Sequence, residues 1–111
     1  MFQLTASNII SCVLIVFFVV GAVANWIAPP KIAADYARWG YPSFFHYVTA
    51  VLEAATAALM VFPSTRIYGA ILGSLVMASA IATLARHKEY RHAIVPSIVL
   101  VACMAVIAIG R

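Results

Sequence analysis

From Thr5 to Ala28 the chain carries no charged side chain at all. Three further stretches are nearly as apolar: Pro42 to Phe62, Arg66 to Ala85 and Ala93 to Gly110. A helix that crosses a bilayer needs about 20 mostly apolar residues, and each stretch meets that length. Only 9% of the residues are charged and 66% are hydrophobic, with a mean hydropathy of +1.06. Soluble domains carry about a quarter charged residues. This chain cannot cover itself with a polar surface, and its natural solvent is lipid. The apolar runs are continuous rather than alternating, which argues against a β-barrel. The expected architecture is all-α: one domain, residues 1–111, folded as a multi-pass bundle of four transmembrane helices. Little chain is left for a soluble unit.

The tripeptide Ala22–Ala24 has the small-residue pattern of a signal-peptide cleavage site. No Lys or Arg precedes the first apolar run, however, and the run is long enough to span. It is therefore expected to persist as a helix. Cys12 and Cys103 form no CxxC pair and have no metal-ligand spacing. Both are read as small buried apolar residues.

The connection between the first and second spans, PPKIAADYARWGYP, is too polar to cross a membrane. Pro29 and Pro30 end one helix and can open another. Lys31, Asp35 and Arg38 then share one helical face, and Ile32, Tyr36 and Trp39 another. This pattern predicts a short amphipathic helix lying at the headgroup level, stopped by Gly40 and Pro42. The second connection, PSTR, is a tight turn with Arg66 as an interfacial anchor. The third, RHKEYRH, is a compact charged turn.

Alternating spans put the first and third connections on one side of the membrane. That side carries Lys31, Arg38, Arg86, Lys88 and Arg91, against Arg66 and Arg111 on the other. The positive-inside rule predicts the first side to be cytoplasmic and both termini to be outside the cell membrane. The expected partner is the lipid bilayer, not nucleic acid. Gly69 and Gly73 form a small-xxx-small pair, and Ala80 continues their side. Close helix approach is expected there, either inside the chain's own bundle or in a homodimer. Ser7, Ser11, Gly21 and Asn25 share one side of the first span.

Glu53 is the anomaly. It lies in the middle of the second span, where a charge costs about 2.5–3.5 kcal/mol on the insertion scale. At 100° per residue, His46, Thr49, Glu53, Thr56 and Met60 fall on one narrow stripe. The stripe should face the bundle interior or a watery cleft. His46 and Glu53 are about 10 Å apart along the axis. Thr49 and Thr56 are the local hydroxyl partners, and Asn25 or His46 could approach from the basic side. Burial disfavours the charged form, so Glu53 is expected to be neutral much of the time or ionised in a hydrated pocket. Glu53, His46, Thr49, Thr56 and Asn25 are therefore the candidate proton- or ligand-binding residues. His46, His87 and His92 all belong to the basic side but lack metal-site spacing, so no metal is expected.

The stretches FFVVGAVANWIAP, RWGYP, VTAVLEAATAALMVFPSTR and ATLARHKE occur here in that order. In order and spacing the chain resembles the DoxX-like family of small four-helix membrane proteins. The resemblance covers most of the chain and implies the same bundle. It also implies an association with membrane redox chemistry, since some relatives are tied to thiosulfate:quinone oxidoreductase or to complexes handling oxidative and thiol stress. Glu53 matches the family's acid. Many relatives carry a Lys where this chain has Asn25, so the obvious cationic partner for the acid is missing.

The function expected from this resemblance is a non-catalytic subunit for quinone-linked chemistry. No haem, flavin or iron–sulfur ligand set is evident. Quinone is the candidate ligand, redox partner subunits are implied, and the chain is not expected to be an enzyme alone. One alternative is a proton-coupled exporter of the small multidrug resistance type, although the acid of those proteins lies in the first helix. Another is an assembly scaffold.

Overall fold

The computed structural model describes residues 5–109. They form α1 (Ala6–Ile27), α2 (Pro30–Arg38), α3 (Phe45–Val61), α4 (Arg66–Arg86) and α5 (Ile94–Ile109), with a 3₁₀ turn at Tyr90–Ala93 before α5. No strand occurs among the described residues.

The boundaries follow local chemistry. Thr5 caps α1, its hydroxyl accepting from the Asn8 backbone N–H at 3.2 Å. Pro29 and Pro30 end α1 and start α2, where the missing N–H of Pro30 costs nothing in a first turn. Beyond α2, Gly40 takes a left-handed φ of 85°. The Tyr41 N–H then bonds back to the Tyr36 carbonyl, and the Gly40 N–H to that of Ala37. This is a Schellman cap, and the rings of Tyr36 and Tyr41 supply its usual side-chain contact at 5.9 Å. At the far end of α3, the Thr65 hydroxyl donates to the Leu59 carbonyl at 2.6 Å and Arg66 Nε to that of Met60 at 3.0 Å. Carbonyls that a helix end leaves open are thereby paired.

The second apolar segment does not begin as a helix at Pro42. Residues 42–44 form a turn, closed by the Phe45 N–H on the Pro42 carbonyl, and the helix starts at Phe45. The fourth segment opens with the 3₁₀ turn, and Pro96 sits in the first turn of α5, where a missing N–H is tolerated. Gly110 and Arg111, counted above as a helix end and as a charge, lie outside the described residues.

α1 packs mainly on α3, α3 on α4, and α4 on α5, with α5 returning to α1. The core is Leu14, Phe18, Ala57, Met60, Ala70, Met77, Val99, Cys103 and Val106. The outward faces are rows of Val, Ile and Leu, such as Val13, Val16, Val20, Leu75, Ile98 and Val101. Cys12 belongs to that outer surface. Its expected burial fails because it follows Ser11, which takes the inward position, and the next residue of a helix is turned by 100°. Among the described residues, three helices are long and apolar enough to cross a membrane: α1, α4 and the run Tyr90–Ile109. At 17 residues, α3 is shorter.

The two ends of the array are tied differently. At one end, Arg38 of α2 meets Glu89 of the α4–α5 turn, with Nη2 to Oε1 at 2.8 Å. At the other, Arg66 donates to the Asn8 side chain near the start of α1, also at 2.8 Å.

Candidate functional site

Gly69 and Gly73 lie inside the chain's own packing. A Cβ on Gly69 would sit 2.7 Å from the Met60 side chain and 3.0 Å from its backbone nitrogen. One on Gly73 would be 3.0 Å from Phe18 and Thr56, and 3.2 Å from the Cys103 sulfur. α3 and α4 are held tightly together along this half of their length. Toward α2 they part, and a cavity of about 400 Å³ opens between them.

Glu53 lies at the base of that cavity and is only 4% exposed. Its carboxyl group rests against Gly21 of α1, where any side chain would collide with it. Asn25, one helical turn further along α1, donates from Nδ2 to Glu53 Oε1 at 2.6 Å and to the Gly21 carbonyl at 3.0 Å. With both amide protons used, Asn25 Oδ1 can only accept, and the Tyr36 hydroxyl donates to it at 2.7 Å. A chain of hydrogen bonds thus runs from α2 through α1 to the acid of α3. A neutral amide holds Glu53, and among the described residues no Arg or Lys lines the cavity. The second carboxyl oxygen, Oε2, has no hydrogen-bond partner among the described residues.

Aromatic rings form the cavity wall nearest α2: Tyr36, Trp39, Tyr41 and Phe45. Tyr41 stacks on Phe45 at 4.4 Å, and Tyr36 packs edge-on to Trp39 at 5.7 Å. The Tyr41 hydroxyl meets Thr83 Oγ1 at 2.5 Å, and Thr83 in turn donates to the Ser79 carbonyl at 3.0 Å. Burial, the nearby Glu53 and Tyr41 push the Tyr36 phenol above its ordinary value against a smaller opposing pull from Thr49, so it remains a donor near neutral pH. Above the rings, Trp39 Nε1 donates to Glu89 Oε2 at 2.8 Å beside the Arg38 bridge. The Arg38 and Trp39 bonds hold the Glu89 carboxyl below its usual range.

The family model of the DoxX-like family matches residues 9–106. The chain belongs to the DoxX-like family. Comparison with curated proteins and with solved structures found no match. The membrane setting of this DoxX-like chain agrees with its apolar helices.

Of the residues singled out in the sequence of the DoxX-like chain, Glu53, Asn25 and Thr49 line one cavity. His46 does not line it. Its Nδ1 lies 2.8 Å from the backbone carbonyl of Asn25, one of the carbonyls left open by the last turn of α1. Thr56 is buried against Gly73. Neither threonine serves as a hydroxyl partner of Glu53. Thr56 bonds its own helix at the Leu52 carbonyl at 2.8 Å, and Thr49 reaches the Phe45 carbonyl at 3.5 Å, the back-bonding common for Thr within helices. Sequence reasoning missed Tyr36, Tyr41 and Thr83 as cavity residues. Tyr36 carried a signal, since it occupies the apolar face of the amphipathic helix. Thr83 carried none, because a single hydroxyl near a helix end has many uses.

Proposed function

We propose that this DoxX-like chain is a four-span membrane subunit whose cavity binds a quinone or its reduced form, with Glu53 exchanging a proton with the bound ring. Electron transfer belongs to a partner subunit. The observation that carries the reading is the Glu53 carboxyl, held by a neutral amide through one oxygen, at an aromatic-walled cavity that no other charged side chain lines among the described residues. Such a site suits a flat apolar ring that gains protons when it is reduced, and an intramembrane acid is the natural place to hold them. The missing cation at position 25 removes the ion pair that would otherwise occupy the carboxylate.

The fourth span is α3. Its 17 residues reach about 25 Å at 1.5 Å each, within the lower range for a spanning helix. The Arg38–Glu89 and Arg66–Asn8 contacts support opposite ends for the helices that α3 joins. The end with Lys31, Arg38, Arg86, Lys88 and Arg91 faces the cytoplasm.

The test is gentle purification with chemical identification of co-purified chains and lipophilic ligands, repeated on Glu53→Gln. Quinone and a redox partner with the unaltered chain, and less quinone with the variant, are expected. Loss of pH-driven transport by the variant, with no bound quinone, would favour an exporter instead. Indifference to the substitution in both assays would leave a scaffold.

A further inference from the structure

The hydroxyl protons of the cavity are nearly all spent. Thr83 gives its only proton to the Ser79 carbonyl, which can do nothing but accept. The arrangement that makes hydrogen bonds of both Thr83 contacts has Tyr41 donating to Thr83 and Thr83 to Ser79. Tyr36 gives its proton to Asn25, Thr49 has the Phe45 carbonyl and the Tyr36 oxygen as acceptors for its own, and the Trp39 indole N–H goes to Glu89. What these groups still offer a ligand is lone pairs. Two lining residues can still donate: Glu53 when protonated, and Ser79, which is exposed.

The polar atoms also lie at two depths. Glu53 is about 12 Å along α3 from Phe45, whereas Thr83 is about 4–5 Å along α4 from Arg86, at 1.5 Å per residue. A ring between them meets the acid at its deep edge and the Tyr41 oxygen at its shallow edge. A quinone presents a carbonyl acceptor at each edge. Even with Glu53 protonated, its shallow carbonyl faces an oxygen with no proton to give. A hydroquinone donates at both edges, to the Glu53 carboxyl and to the Tyr41 oxygen.

We propose that the cavity selects hydrogen-bond-donating rings, hydroquinones and related phenols, over their acceptor-only quinone forms, and that the Tyr41–Thr83 pair sets this preference. The proposal rests on the reading of the cavity as a quinone-type site. A site that pairs with a ligand hydroxyl discriminates against the analogue that leaves a buried polar group unmatched.

The experiment is calorimetric titration of the full chain in lipid nanodiscs with a short-tailed, water-soluble benzohydroquinone under reducing, oxygen-free conditions, and separately with its quinone. Tighter binding of the hydroquinone by about tenfold or more is expected, the worth of roughly one hydrogen bond. Thr83→Val keeps the shape but removes the acceptor of the Tyr41 proton. That proton then becomes available to a quinone carbonyl, and the preference should shrink to about threefold or less through a gain in quinone affinity. A purely structural role for Thr83 would weaken both ligands together. Equal or tighter quinone binding by the unaltered chain, or an unchanged ratio in Thr83→Val, overturns the donor preference while leaving the quinone site standing. Binding of neither ring overturns both readings. Binding of a lipophilic amine in place of either ring overturns the hydroxylated-ring class.

Discussion

α3 and α4 pack against each other twice, in opposite ways. Around Gly69 and Gly73 the contact is apolar and closed, with Met60, Phe18 and Cys103 filling the space that side chains on α4 would need. Nearer α2 the same two helices separate around Glu53, and polar bonds come from α1 and α2 instead. The closed half has no hydrophobic drive toward helix association in lipid and must rely on close fit. The open half leaves that fit incomplete, and a hydrogen-bonded acid stands where packing would be. Stability and ligand chemistry are thus assigned to different lengths of one helix pair.

The sharpest way to break this contrast is to overfill the closed half. Gly69→Val would drive its side chain into Met60, whose backbone nitrogen is 3.0 Å from the first added carbon and has little room to yield. Overpacking of this kind costs about 1–3 kcal/mol, occasionally more. Loss of folded protein in detergent, followed by a denaturant titration, measures it. If Gly69→Val is tolerated without loss, the closed half is not what holds α3 to α4.

The open half should respond to lost pairing rather than to volume. Asn25→Leu removes the donor to Glu53 and the acceptor of Tyr36 together. Leaving buried polar groups unmatched costs about 1–3 kcal/mol. Asn25→Asp is a sharper probe, since it keeps the size and sets one acid against another. It should lower stability more at pH 8 than at pH 5, because two carboxylates side by side resist ionising together. Equal losses at both pH values would mean that solvent, not Asn25, satisfies Glu53.

A milder prediction concerns the cap that aims the two tyrosines. Gly40 has φ 85° with open space around its Cα. Gly40→Ala meets no neighbour but must hold a left-handed backbone, at a cost of about 1–2 kcal/mol. Part of that should appear as weaker ligand binding, since Tyr36 and Tyr41 belong to the same cap.

The helices themselves were legible because long apolar runs, Pro29–Pro30 and Gly40 carry their meaning locally. Glu53 and Asn25 were also legible, because polar groups in an apolar span are conspicuous. The rest of the site was not. Tyr36 and Trp39 look like ordinary interfacial aromatics, and only the Schellman cap turns Tyr36 and Tyr41 toward each other. Gly21 reads as a packing residue, and its role as the seat of the Glu53 carboxyl depends on the relative placement of α1 and α3. His46 shares the stripe of Glu53, yet the open end of α1 captures it first. Helical phase says which residues share a face but not which neighbour will claim them.

The smallest expected effect lies at the rim, where Glu89 holds both Arg38 and Trp39 over the cavity. These groups are close to solvent, and exposed ion pairs contribute little to stability. Their value is in tying α2 to the α4–α5 turn. The Glu89 carboxyl titrates below its usual 4.5, so it binds protons less readily in the folded chain than in the unfolded one. Its contribution is therefore complete above about pH 4.5 and is lost as the pH falls through the lowered folded value. Acidification through that lowered value should release the Trp39 indole and change its fluorescence without unfolding the helices, which circular dichroism would report separately. Glu89→Gln should show the released signal already at neutral pH. It should leave the denaturation midpoint nearly unmoved, in contrast to Gly69→Val. If Glu89→Gln instead destabilises the chain as much as Gly69→Val, the rim and the closed half are one cooperative unit, and the division between a packed half and a working half fails.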